Sequence, residues 1–167
     1  MTAVVQPDLA WMLRRPVRVL ALGLGSGLLR PAPGTWGTLA GWLLWLVLIQ
    51  PLGLGTGGMI ILLAFAFLAG CWICAQAGRD LGVADHGSIV WDEIVAIWLV
   101  LWLGPASPAG QLAGFLAFRL FDIMKPFPIR LFDRRLKNGF GVMWDDALAA
   151  GYAVLLVNLL VRTGFVA

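Results

Sequence analysis

The chain has 167 residues, of which 60% are hydrophobic and 13% charged, with nine Trp, nine Phe and a net charge of +3. A soluble domain averages about 25% charged residues, and a fold this small cannot hide so much apolar surface from water. The composition excludes a disordered chain, a nucleic-acid-binding protein and an ordinary soluble enzyme, and leaves an all-α polytopic membrane helix bundle.

Taken in chain order, the first apolar stretch is 17–29, preceded by Arg14, Arg15 and Arg18. It is too short to cross a bilayer. The stiff Pro31-Ala32-Pro33-Gly34 follows it where a signal peptide would have an open cleavage site, so it reads as an interfacial or re-entrant segment. Residues 31–78 carry no charge. A crossing needs roughly 20 apolar residues, so this gap holds two, near 38–50 and 59–77, parted by the Pro- and Gly-rich residues 51–58. Thr35 and Thr38 flank the start of the first, where either can cap it. Cys71 and Cys74 lie inside the second with no other Cys pair, and read as inert buried thiols. The uncharged residues 94–118 break at 104–109, giving spans over 89–103 and 110–124; a last span covers 146–161. The expectation is a single domain over 1–167 with about five transmembrane helices.

Charge placement orients these spans. With the segment before the first crossing in the cytoplasm, eleven of the twelve basic residues fall on the cytoplasmic side and only Arg162 lies opposite. The same topology brings the acidic residues to that side. Asp80 and Asp85 lie in an inner loop, Asp92 and Glu93 near the start of the third span, Asp122 near the end of the fourth, and Asp145 and Asp146 at the start of the fifth. A helix cap uses one acidic side chain, so the adjacent pairs Asp92-Glu93 and Asp145-Asp146 point to more than capping. Ionisable groups at membrane depth usually face a bundle interior and mark function. Oxygen ligands without Cys or several His suit Mg²⁺ rather than Zn²⁺. Arg119, Lys125 and Arg130 flank Asp122, and Arg and Lys suit phosphate. Arg134, Arg135 and Lys137 read as contacts to anionic lipid.

Other phosphatase chemistries lack their residues. Ala77 and Asp80 stand where a Cys phosphatase would place its Arg, and His86 is the sole histidine. Asp-x-Asp-x-Thr, Asp-x-x-Asp-Gly, Walker and dinucleotide-binding motifs are absent. What remains is carboxylate-bound Mg²⁺ acting on an anionic membrane substrate.

Ordered blocks run through the chain: Gly25-Ser26-Gly27-Leu28, Pro33-Gly34-Thr35, Asp80-Leu81-Gly82-Val83, and Asp85-His86-Gly87-Ser88-Ile89-Val90-Trp91-Asp92-Glu93. They continue with Phe118-Arg119-Leu120-Phe121-Asp122, Lys125-Pro126-Phe127-Pro128-Ile129-Arg130, Phe132-Asp133-Arg134, and Gly139-Phe140-Gly141-Val142-Met143 with Asp145-Asp146. Over about residues 20–151 the chain resembles the phosphatidylglycerophosphatase A family of bacteria, departing at Asn138 and Ala96, where Gly is usual. The resemblance implies Mg²⁺-dependent hydrolysis of phosphatidylglycerophosphate to phosphatidylglycerol and phosphate, in a multi-pass protein of the bacterial inner membrane with its site facing the cytoplasm.

The expected metal ligands are Asp92, Glu93, Asp122, Asp145 and Asp146, some through neighbouring carboxylates. Glu93 or Asp145 is the expected base for an attacking water, with an aspartyl-phosphate route as the alternative. Arg119, Lys125, Arg130 and Thr35 are expected at the phosphate, and Asp80, Asp85 and His86 as a lid or supporting layer. The reading from another class is a small ion-coupled transporter or channel. It would place charge along a path to the bilayer midplane, whereas here the charges stop at one interface. Oligomeric state and acyl-chain preference are not legible.

Overall fold

In the computed structural model, residues 4–165 are described, and among them the chain is helix and connecting turns with no strand. The first two helices are short. Helix α1 (Leu9–Leu13) starts at Asp8, whose side chain accepts the Trp11 N–H at 2.7 Å. Helix α2 (Pro16–Ala21) begins on a proline, where the missing N–H costs nothing. A 3₁₀ turn over Gly23–Leu28 follows, bent by positive φ at Leu24 and Gly25. Residues 17–29 are therefore two short pieces and no crossing, as their length implies. Arg18 ties them down: its Nε donates to Asp80 at 2.8 Å, and its guanidinium lies 4.0 Å from the Trp11 ring centre.

Helix α3 (Pro33–Leu44) runs on through a π turn (Trp45–Ile49) and a 3₁₀ turn (Gln50–Leu52). It begins five residues before the expected 38, because Pro33 at its first position needs no hydrogen-bond partner. Neither Thr35 nor Thr38 caps it; both lie inside it. Helix α4 (Thr56–Leu81) ends on Gly82, whose φ of 81° favours glycine. Helix α5 (Trp91–Leu103) and helix α6 (Pro108–Met124) form a hairpin, with the Ser107 hydroxyl accepting the Gly110 N–H at the turn. A short helix α7 (Ile129–Arg135) precedes helix α8 (Gly139–Arg162), which Asn138 caps through the Gly141 N–H at 2.9 Å. Helix α8 thus starts seven residues before the expected 146.

Three of these segments are long and apolar enough to cross a membrane: Pro33–Leu52, Thr56–Leu81 and Gly139–Arg162. Helices α5 and α6, expected as two further crossings, have 13 and 17 residues, roughly 20 and 26 Å against a hydrocarbon core of about 30 Å. Helix α5 packs against α3, α4, α6 and α8, and nine of its residues are buried. The outer surface is apolar instead: Ile61, Phe65, Leu68 and Trp72 of α4, Leu116 and Ile123 of α6, and Leu155 and Leu159 of α8 are all exposed. Helical spacing lines these up into stripes that fit lipid contact.

Small residues set how closely the core helices approach. A Cβ at Gly37 would run into the Val90 side chain, and one at Gly41 into Ile97 Cγ2 and the Ile94 Cα. The i, i+4 glycine pair lets the α3 backbone lie against α5, as small-residue pairs do in membranes. At that contact Trp98 Nε1 donates to the Gly41 carbonyl at 2.9 Å. At the far end Trp42 Nε1 donates to Gln111 Oε1 at 2.8 Å and joins α3 to α6. By contrast, a Cβ at Gly151 meets nothing within 4 Å. Gly41→Val should therefore destabilise the fold by about 2 kcal/mol through overpacking, read as a lower unfolding temperature in detergent, while Gly151→Val leaves it unchanged.

Candidate active site

Four elements converge at one end of the bundle: the first turns of α3 and α5, the last turn of α6 and the second turn of α8. The antiparallel run of α5, α6 and α8 brings Asp92 and Glu93, Arg119 and Asp122, and Asp145 and Asp146 together. Carboxylate oxygens of Asp92, Glu93 and Asp146 all lie within 4.8 Å of one another. Asp92 and Glu93 occupy the first turn of α5, behind Val90 as the cap residue, so neither is an N-cap. Asp145 and Asp146 do not open their helix as expected, since α8 begins at Gly139. They sit beyond the first turn, where a helix terminus offers an acid little. Capping accounts for none of the four.

Arg119 is the cation at the centre. Its Nη1 donates to Thr38 Oγ1 at 3.3 Å and forms ion pairs with Asp122 Oδ2 at 2.7 Å and, more distantly, with Glu93 Oε1 at 3.7 Å. Gly34, on the first turn of α3, leaves room for this: a Cβ there would strike Glu93 Oε1 and press on both guanidinium nitrogens. Lys125 ends α6 with a left-handed φ of 41° and bridges Asp145 at 2.5 Å and Asp133 of α7 at 3.0 Å. Burial works against the Lys125 ammonium, but its bonds to Asp145 and Asp133 outweigh that and raise its pKa above the ordinary lysine value. Burial likewise opposes the Asp133 carboxylate, yet Lys125 and Lys137 hold its pKa below the usual range. Tyr152 of α8 donates to the Phe127 carbonyl at 3.1 Å and holds the 125–130 segment against the bundle.

Several buried polar atoms here have no hydrogen-bond partner among the described residues: Asp92 Oδ1, Glu93 Oε2, Asp145 Oδ1, Asp146 Oδ2 and Arg119 Nε. A buried unpartnered group costs about 1–3 kcal/mol, and more when charged, so the oxygens of Asp92, Glu93 and Asp146, which lie together, could hold a cation. The donors are all carboxylate oxygens, the chemistry of a hard divalent ion such as Mg²⁺. Cys74 is buried but turned to Met143 Sδ, 3.9 Å away, and brings no sulfur to the cluster.

The remaining expected residues are dispersed. Asp122 faces Arg119 and stands near enough to Asp146 for their carboxyl groups to interact. Thr35 is half-buried with no side-chain hydrogen bond, and Arg130 is exposed with no ion pair among the described residues. Asp80 is taken up by Arg18 and Arg15 at the N-terminal helices. Asp85 is exposed; His86 is buried, and its Nδ1 accepts the Ser88 N–H at 3.1 Å. Burial first, then Arg30, lowers the His86 pKa against the opposing pull of Asp85, which keeps the ring neutral at neutral pH.

Sequence reasoning missed Thr38 as a site residue, together with Gly34 and Asp133. A signal for Thr38 existed. Counted from a helix start at Pro33, residues 34, 38 and 41 share a face; placing the start at 38 hid that face.

A family profile described as phosphatidylglycerophosphatase A matches residues 19–161. Two relatives carry the same name: one from Haemophilus influenzae, 53% identical over 146 residues (87% of this chain, 88% of the relative), and one from Escherichia coli, 41% identical over 139 residues (82% and 78%). A protein of Bacteroides thetaiotaomicron provisionally named a phosphatidylinositol-3-phosphatase is 33% identical over 147 residues (83% and 89%). No solved structure matches the chain. With the profile matching most of its length and two relatives of that name at 53% and 41% identity, the chain belongs to the phosphatidylglycerophosphatase A family of enzymes.

Proposed function

We propose that this protein hydrolyses phosphatidylglycerophosphate to phosphatidylglycerol and phosphate, using Mg²⁺, at the cytoplasmic face of the bacterial inner membrane. It acts as one integral-membrane domain with α5 and α6 as short crossings beside the three long ones. One observation carries the chemistry: Arg119 spends Nη1 on Asp122 and Thr38, while Nε and Nη2 make no hydrogen bond among the described residues. That free edge is the fork that pairs with two phosphate oxygens. The names of the two relatives support the substrate. The one-sided basic residues support the orientation.

Asp92, Glu93 and Asp146 would hold the Mg²⁺, with Asp122 and Asp145 beside them. When bound, the ion supplies a Lewis acid for the phosphoryl group. Arg119 receives the terminal phosphate on its free edge, and Lys125 adds a point charge. Asp145, held on Oδ2 by Lys125, has Oδ1 free to take a proton from an attacking water, and Glu93 is the other base in reach. Arg130 and Thr35 would serve the second phosphate of the lipid, and Asp85 and His86 would serve as a lid or supporting layer. Asp80 anchors the N-terminal helices.

Purified Asp92→Asn, Glu93→Gln and Asp145→Asn should each release phosphate at least about 100-fold more slowly while remaining folded; wild-type turnover by all three overturns the assignment. Chelation should stop release and added Mg²⁺ restore it, and Mg²⁺ should raise the unfolding temperature of the wild type. Arg119→Lys keeps the charge and loses the fork; kcat/KM should fall by about 100-fold.

A further inference from the structure

We propose that Thr38 is a positioning residue that fixes which edge of Arg119 meets the phosphate. The inference rests on the phosphatase reading above and deepens it. Thr38 is fully buried on α3, with 0% of its surface exposed. Its hydroxyl proton is committed: Oγ1 donates to the Gly34 carbonyl one turn earlier, at 2.8 Å. The oxygen is then left to accept, and the group that donates to it is Arg119 Nη1 at 3.3 Å. A relay of fixed direction results, from the guanidinium through the hydroxyl to the first-turn carbonyl of α3.

The relay decides the use of the guanidinium because Thr38 and Asp122 hold it by the same nitrogen, Nη1. Nη1 gives a proton to Thr38 and pairs with Asp122 as an ion pair at 2.7 Å, while Nε and Nη2 make no hydrogen bond among the described residues. The unpartnered oxygens of Asp92, Glu93 and Asp146 lie in the same cluster. An Arg119 freed from Thr38 could rotate toward them, which would neutralise the cluster and occupy the edge meant for phosphate. Thr38 thereby keeps cation and carboxylates in their separate roles. Gly34 is part of the same device, since its missing side chain lets the first turn of α3 come within reach.

The test uses the purified full-length protein with phosphatidylglycerophosphate in mixed micelles and Mg²⁺. Thr38→Val keeps the volume and removes the hydroxyl; Thr38→Ser keeps the hydroxyl. Thr38→Val should lower kcat/KM by about tenfold, mostly through KM, and Thr38→Ser should stay within about twofold of wild type. In an Arg119→Gln background, Thr38→Val should cost nothing further, because the group it positions is gone. An equal loss in both backgrounds, or a Thr38→Ser as impaired as Thr38→Val, overturns the positioning role. So does a Thr38→Val with wild-type KM. Unfolding temperatures in detergent show whether each variant is folded, and the Thr38→Ser comparison keeps the test decisive if valine lowers stability. A wild-type protein with no phosphate release would instead refute the phosphatase reading itself.

Discussion

Five carboxylates, Asp92, Glu93, Asp122, Asp145 and Asp146, share one end of the helix bundle with two cations, Arg119 and Lys125. Two like charges about 4 Å apart repel by about 4 kcal/mol even at an effective dielectric of 20. The bundle must therefore hold apart groups that its own packing forces together. Arg119 offsets Asp122 and Glu93, and Lys125 offsets Asp145 and Asp133. Asp92 and Asp146 have no ion pair among the described residues. The uneven distribution of the two cations leaves Asp92, Glu93 and Asp146 as an acidic cluster that could hold a metal ion.

Holding such charges needs a rigid frame, and the frame is made by close approach. The glycines at 34, 37 and 41 form one face of α3, and each serves a different neighbour: the Glu93–Arg119 pair, Val90, and the backbone of α5. Close packing of α3 on α5 fixes the first turn of α5, and with it Asp92 and Glu93. On the other side Gly70 of α4 lies against Met143 and Trp91, and Gly139 of α8 lies against the α4 backbone, so α8 delivers Asp145 and Asp146 at a set depth. Side-chain size, more than any single hydrogen bond, positions the acids.

The bilayer explains the opposite surface. Lipid offers no gain for burying leucine over exposing it, so the outer faces of α4, α6 and α8 carry exposed Phe, Leu and Ile while the interior holds the polar groups. The N-terminal helices join this arrangement by charge, through Arg15 and Arg18 on Asp80 at the end of α4. That contact leaves Leu9, Leu13, Leu20 and Leu24 outward, as suits a segment lying along a membrane surface.

The sequence by itself determined the class, the grouping of the charges at one end and the set of acidic residues. Charge in a membrane protein is too costly to scatter, so gaps in charge read directly as apolar helices. The helix starts were less legible. Pro33 and Gly139 resemble loop residues, yet a proline is favourable at the first helical position and Asn138 supplies a cap; both helices therefore begin earlier than hydropathy suggests. Only the tertiary structure decided which acids converge and which are spoken for. Asp92, Glu93 and Asp146 meet while Asp145 turns to Lys125, Asp80 serves the N-terminal helices, and Thr38 rather than Thr35 reaches Arg119. The reason is physical: composition and hydropathy report the cost of burial residue by residue, whereas the partner of a buried charge depends on how closely separate helices approach, and that depends on where a Cβ is missing.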